Sequence, residues 1–127
     1  MRTRRFPIFV ALMLAAAEPA TEQKLGRPFT LKIGESVQLN DLKLTFRSVV
    51  ADNRCRAGAM CITAGNAEIA LELEQRATTA VISLHTMVDP KKLEWNGYTI
   101  QLVGLSGPLR TAIPFKQQYR AEILVTR

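Results

Sequence analysis

Apolar and polar residues alternate with a period of two along most of this chain. In "FTLKI", Phe29, Leu31 and Ile33 fall on one side, Thr30 and Lys32 on the other. "LKLTFRSVV" sets Leu42, Leu44 and Phe46 against Lys43, Thr45 and Arg47. "AEIALELE" places Ala67, Ile69, Leu71 and Leu73 inward and Glu68, Glu72 and Glu74 outward. A helical period would mix those glutamates into the leucine stripe, so the segment reads as a strand. "VQL", "TAVISLHT", "LEW" and "YTIQLVGL" extend the pattern. "YRAEILVT" closes it, with Tyr119, Ala121, Ile123 and Val125 inward. "GES" turns the chain, and Asp89-Pro90 marks a loop. Asn96-Gly97 between apolar-patterned arms predicts a hairpin, because both residues tolerate the positive φ of a type I′ turn. "GLSGPLRTAIP" reads as a long connection. About six to eight short strands and no three-turn helix predict an all-β fold. The expected architecture is a single antiparallel β-sandwich of immunoglobulin-like kind.

The N-terminus changes what the rest of the chain implies. Arg2, Arg4 and Arg5 precede an apolar run from Phe6 to Leu14, followed by Ala15, Ala16 and Ala17. That is the order of a secretory signal peptide. The run falls short of the roughly 20 apolar residues that span a bilayer. Residues 1–17 are expected to be removed, with cleavage after Ala17 or Ala20. Arg4-Arg5 also fits a twin-arginine export signal; the general secretory route is preferred. No cysteine follows the run to accept a lipid, and no membrane insertion is expected after cleavage. Residues 18–28 ("EPATEQKLGRP") read as a flexible leader and residues 29–127 as the sandwich domain. Cleavage removes three of 17 Lys+Arg and none of 11 Asp+Glu, so the net charge falls from +6 to 14 − 11 = +3. A mild positive charge is a solubility property, and nucleic acid is not an expected partner. The expected location is periplasmic or secreted.

"DNRCRAGAMCITAGNA" holds both cysteines, Cys55 and Cys61. Zinc needs three or four ligands, and the chain offers two cysteines and one distant histidine, His85. A redox dithiol uses Cys-x-x-Cys at a helix start; this loop is longer and its flanks read as strands. Export, an even cysteine count and short spacing favour a structural disulfide. Such a short ring contributes about 2 kcal/mol on a chain-entropy model.

The same stretch, continued to "AEIALEL", resembles the signature D-S-R-C-P…C-I-W-A-G-N-A of a family of small exported bacterial proteins and lipoproteins. Asp52, Arg54, Cys55, Cys61, Ile62, Ala64, Gly65, Asn66 and Ala67 match it. Asn53, Arg56 and Thr63 depart from the usual serine, proline and tryptophan. The resemblance extends more weakly to "GES", the "GYTIQLVGL" segment and the last strand. It implies an exported protein of that type and no assigned activity.

Several residues invite a chemical role. Asp52 and Asn66 could share a calcium ion, but calcium takes roughly six to eight oxygens, and the neighbourhood adds only Asn53 and Glu68. Bracing of the loop through backbone N–H groups, with Asp52 paired to Arg54, is the preferred reading. Arg47, Arg54 and Arg56 could form a basic patch for an anionic polymer or an acidic partner face; solvated arginines are the simpler account. His85 lacks a Gly-x-Ser-x-Gly nucleophile motif, and Ser83 or Ser106 would have to stand in for it. Trp95 at the hairpin either contacts a partner or folds back on the sandwich end.

The expected function is a non-enzymatic binding or accessory protein of the bacterial cell envelope, without cofactor or metal. Its candidate contacts are Arg54, Arg56, Met60 and Trp95, beside the disulfide-braced loop. An envelope protein or an anionic polymer is the expected partner class. Protease inhibition, with Arg54-Cys55-Arg56 mimicking a basic cleavage site, is the alternative. A small hydrolase is the third reading.

Overall fold

A computed structural model describes residues 21–55, 60–62, 65–107 and 119–127. Among them run nine strands: β1 (Thr21–Glu22), β2 (Phe29–Lys32), β3 (Ser36–Leu39), β4 (Leu42–Asp52), β5 (Ala67–Gln75), β6 (Thr78–His85), β7 (Lys92–Trp95), β8 (Tyr98–Ser106) and β9 (Arg120–Thr126). They form two sheets, ordered β1-β3-β4-β5-β6 and β2-β9-β8-β7. The fold is all-β, with one disulfide among the described residues.

The period-two alternation decides which side chains the sheets bury. Leu42, Leu44 and Phe46 are fully buried, as are Ala67, Ile69, Leu71 and Leu73. Ala121, Ile123 and Val125 meet them from the other sheet in one shared core, with Tyr119 also buried. Most outward positions are polar, with Val50, Val81 and Val103 as exposed apolar exceptions. Arg47 reaches Glu72 across the β4–β5 pair at 3.8 Å, and with its side chain 53% exposed the pair contributes little.

The turns follow local chemistry. Asn96 and Gly97 both have positive φ, and Trp95 pairs with Tyr98 across them. This is the two-residue hairpin that Asn-Gly predicts. "GES" does more than reverse direction: β2 and β3 on its two sides belong to different sheets. Its backbone is held by Glu35 N–H donating to Lys32 O at 3.0 Å and by Gly34 N–H donating to Phe46 O at 2.7 Å.

Three expectations need amendment. The sheets are not wholly antiparallel, because β1 runs parallel to β3, with Thr21 opposite Val37 and Glu22 opposite Gln38. That pairing places a ninth strand inside the stretch read as leader. "GLS", read as the start of a connection, continues β8. A register shift between Leu102 and Gly104 absorbs one residue, and Ser106 still pairs with Arg120. The remainder of that connection, 108–114, lies outside the described residues, as do residues 1–20, which include the expected signal peptide 1–17, and Arg56.

Candidate functional site

The end of β4 and the start of β5 deliver the cysteine segment. Asp52 pairs with Ala67 as the last rung between them. Beyond that rung the chain leaves the sheet, and side chains take over the bonding. Cys55 and Cys61 form a disulfide with a Cα–Cα distance of 5.9 Å. Asn53 N–H donates to Asn66 O at 2.9 Å, and Asn66 N–H donates to Asn53 Oδ1 at 2.7 Å. The two asparagines thus prolong the ladder by one pseudo-rung.

Gly65 makes this closure possible. Its φ is +74°, and a Cβ built there would stand 2.1 Å from Asn53 O and 2.8 Å from Arg54 Cα. Only a residue without a side chain allows the two backbones to pass so closely.

Asp52 is the hub on one flank. Its Oδ1 accepts from Arg54 Nε at 2.8 Å and from Arg54 N–H at 3.2 Å. Its Oδ2 accepts from Arg54 Nη2 at 2.9 Å and from the Tyr119 hydroxyl at 2.9 Å. The Arg54 guanidinium then reaches across to the other sheet. It donates through Nη2 to Gly107 O at 2.8 Å and through Nη1 to Leu105 O, at and just beyond the end of β8. The Arg54 side chain keeps 13% of its surface exposed and that of Asp52 16%.

Hydrogen bonding from Arg54 holds the Asp52 carboxyl below its ordinary value, against the opposing effect of burial; Arg54 N–H and the Tyr119 hydroxyl act in the same direction as Arg54. Burial first, and then the bond to Asp52, push the Tyr119 hydroxyl up.

Asn66 is the hub on the other flank. Its Oδ1 accepts from Met87 N–H at 3.0 Å and from Val88 N–H at 3.3 Å. Those donors fix the amide orientation, so Nδ2 faces His85 Nδ1 at 3.0 Å. An amide nitrogen only donates, which makes His85 Nδ1 the acceptor and places the ring proton on Nε2. Thr86 completes the joint: its Oγ1 accepts from Ala67 N–H at 2.9 Å, and its own N–H donates to Ala67 O at 3.0 Å.

The candidate residues therefore separate. Arg54, read as a surface contact, is turned inward by three acceptors of its own protein: Asp52, Leu105 O and Gly107 O. Those three acceptors occupy its guanidinium within the protein itself. Arg56 is outside the described residues. Trp95 is half-buried and packs against the core, so it folds back on the sheet rather than standing out at the hairpin tip. Met60 is fully exposed, and so is Ile62. Met87 and Val88, also exposed, stand at the same end because Asn66 ties their backbone there. A hollow of about 280 Å³ joins the two segments, lined by Arg54, Cys55, Gly65, Thr86, Met87 and Leu105 among others. Period-two alternation carries no signal for this apolar surface, since Ile62, Met87 and Val88 lie in irregular chain.

No described hydroxyl or thiol hydrogen-bonds the His85 ring, and its Nδ1 is taken by Asn66. Among the described residues no three His, Cys, Asp or Glu side chains gather as metal ligands. No family model, curated protein or solved structure matches the chain.

Proposed function

We propose that this is an exported, non-enzymatic binding or accessory protein of the bacterial cell envelope, one that recognises a protein partner through its disulfide-bearing end. One observation carries the reading. Met60, Ile62, Met87 and Val88 are all exposed at that end. They stand on a frame braced by the disulfide, the Asn53–Asn66 bonds and the Arg54 clamp. Large apolar side chains held outward together mark contact surfaces. A rigid base reduces the entropy lost when such a surface docks. With Arg54 committed inward, a protein partner fits better than an anionic polymer.

Export and family are parts of the same proposal. The basic-then-apolar N-terminus supports a periplasmic or secreted location, and the cysteine-segment resemblance supports membership of the small exported family. Two sheets around one core support an immunoglobulin-like sandwich as the finer description of the fold.

The test is affinity capture from an envelope extract. The oxidised protein is compared with Met60→Ser/Ile62→Ser and with the reduced protein. Both changes are expected to deplete the same captured partner. Identical capture by all three forms refutes the assignment of the surface.

A further inference from the structure

The four sheet edges are not alike. Exposed edges invite pairing with other strands, and proteins protect them with shortness, charge, proline or bulges. β1 has only two residues. β2 has four and includes Lys32, and β7 has four and includes Lys92 and Glu94. β6 has eight residues, TTAVISLH, without a charged side chain or a proline. It pairs with β5 through eight consecutive rungs without a register shift. Among the described residues, no strand covers its outer side.

Hydrogen bonds at the end of β6 show which backbone groups face outward. Thr86 N–H points at Ala67 O, toward β5, whereas His85 N–H points away from β5 to Pro90 O at 2.9 Å. Antiparallel strands alternate these directions residue by residue. Thr79, Val81 and Ser83 therefore turn their N–H and C=O groups to the open side.

We infer that this edge pairs antiparallel with β6 of a second copy, about a two-fold axis at Val81. The register is self-complementary. Val81, 53% exposed, would meet its own counterpart, a β-branched pair. Thr79 would meet the other copy's Ser83, a hydroxyl pair. Ala80 would meet the other copy's Ile82, small against large. Such cross-strand pairs are among those that stabilise sheets. The three outward residues supply about six backbone hydrogen bonds. A register centred on Ile82 would instead need His85 N–H, which Pro90 already occupies.

Charge complementarity acts at the ends. The exposed Arg76 turn of each copy comes to the end where the other copy carries the exposed Asp89. No like charges meet along the strand. A single strand pair makes a small interface, at the weak end of protein association. The dimer is accordingly concentration-dependent. This surface does not rest on the proposed function of the disulfide end.

Sedimentation of the purified, disulfide-intact protein is expected to show its mass rising toward the dimer as concentration approaches the millimolar range. Cysteine substitutions test the register. Val81→Cys is expected to form a disulfide-linked dimer under mild oxidation, because a hydrogen-bonded pair sets Cα atoms about 5.5 Å apart, inside the range of disulfides. Thr79→Cys and Ser83→Cys crosslink when mixed and not when alone. Thr45→Cys, on β4 two strands inward, serves as the control. A protein monomeric at every concentration, with Val81→Cys crosslinking no faster than Thr45→Cys, overturns the inference. Slow amide exchange at Thr79, Val81 and Ser83 in a monomer also overturns it, since the chain itself would then cover the edge. Pairing only with a different protein's strand overturns it as well.

Discussion

Replacing Gly65 with alanine tests the close approach that shapes the cysteine segment. The substitution has two effects that can be separated. The first is conformational: at φ +74° an L-residue is disfavoured by about 1–2 kcal/mol. The second is contact: a Cβ 2.1 Å from Asn53 O forces the two backbones apart. That separation breaks the Asn53–Asn66 pair, two hydrogen bonds worth roughly 1 kcal/mol each. The sum is about 3–4 kcal/mol, a large share of a typical 5–15 kcal/mol. Gly97→Ala is the matched control, because Gly97 has φ +83° and nothing within 4 Å of an added Cβ. It should lose only the conformational part. Thermal unfolding of the oxidised protein, followed by circular dichroism, measures both variants. At about 4–8 °C of Tm per kcal/mol for a domain of this size, the two melts should differ clearly. A Gly65→Ala variant no less stable than Gly97→Ala refutes the close-approach argument.

Acid titration checks the Asp52 hub. Its carboxyl is lowered from 3.8 in the folded state, so its contribution is complete above that ordinary value and drains as pH falls through the folded one. The stability gap between the protein and Asp52→Asn should therefore be widest at neutral pH and narrow in acid; a gap indifferent to pH contradicts the assignment. Cys55→Ser/Cys61→Ser should cost about 2 kcal/mol, read from the urea midpoint, with far-ultraviolet spectra unchanged because Cys55 and Cys61 themselves lie outside the strands. Trp95→Ala should lose about half of the 3–5 kcal/mol typical of a buried aromatic while leaving envelope capture intact. Lost capture in a folded Trp95→Ala protein would restore it as a contact.

What the sequence revealed and concealed follows from the range of the interactions. β4, β5 and β9 were legible because alternation is local: Leu42-Leu44-Phe46 and Ala121-Ile123-Val125 declare a buried face without reference to any partner. Asn96-Gly97 was legible because few residue pairs accept its backbone. The turn at Arg76-Ala77 was not, since an arginine at φ 54° carries no turn signature and is held there by the long β5–β6 ladder. β1 escaped notice because two residues have no period. The inward turn of Arg54 was hidden for another reason: its acceptors Leu105 O and Gly107 O lie 51 and 53 residues away in sequence. Nothing near "NRC" distinguishes an arginine that clamps two sheets from one that waves in solvent.

That clamp also has a place in time. Arg54 bonds β4's end to β8's end, and no part of the bond can form until the two sheets have docked. An interaction absent from the transition state leaves the folding rate alone and slows unfolding. Where the sheets dock after the transition state, Arg54→Met raises the unfolding arm of a chevron plot and leaves the refolding arm in place; a slower refolding arm places docking earlier. Resistance to proteases would then depend on how rarely this latch opens.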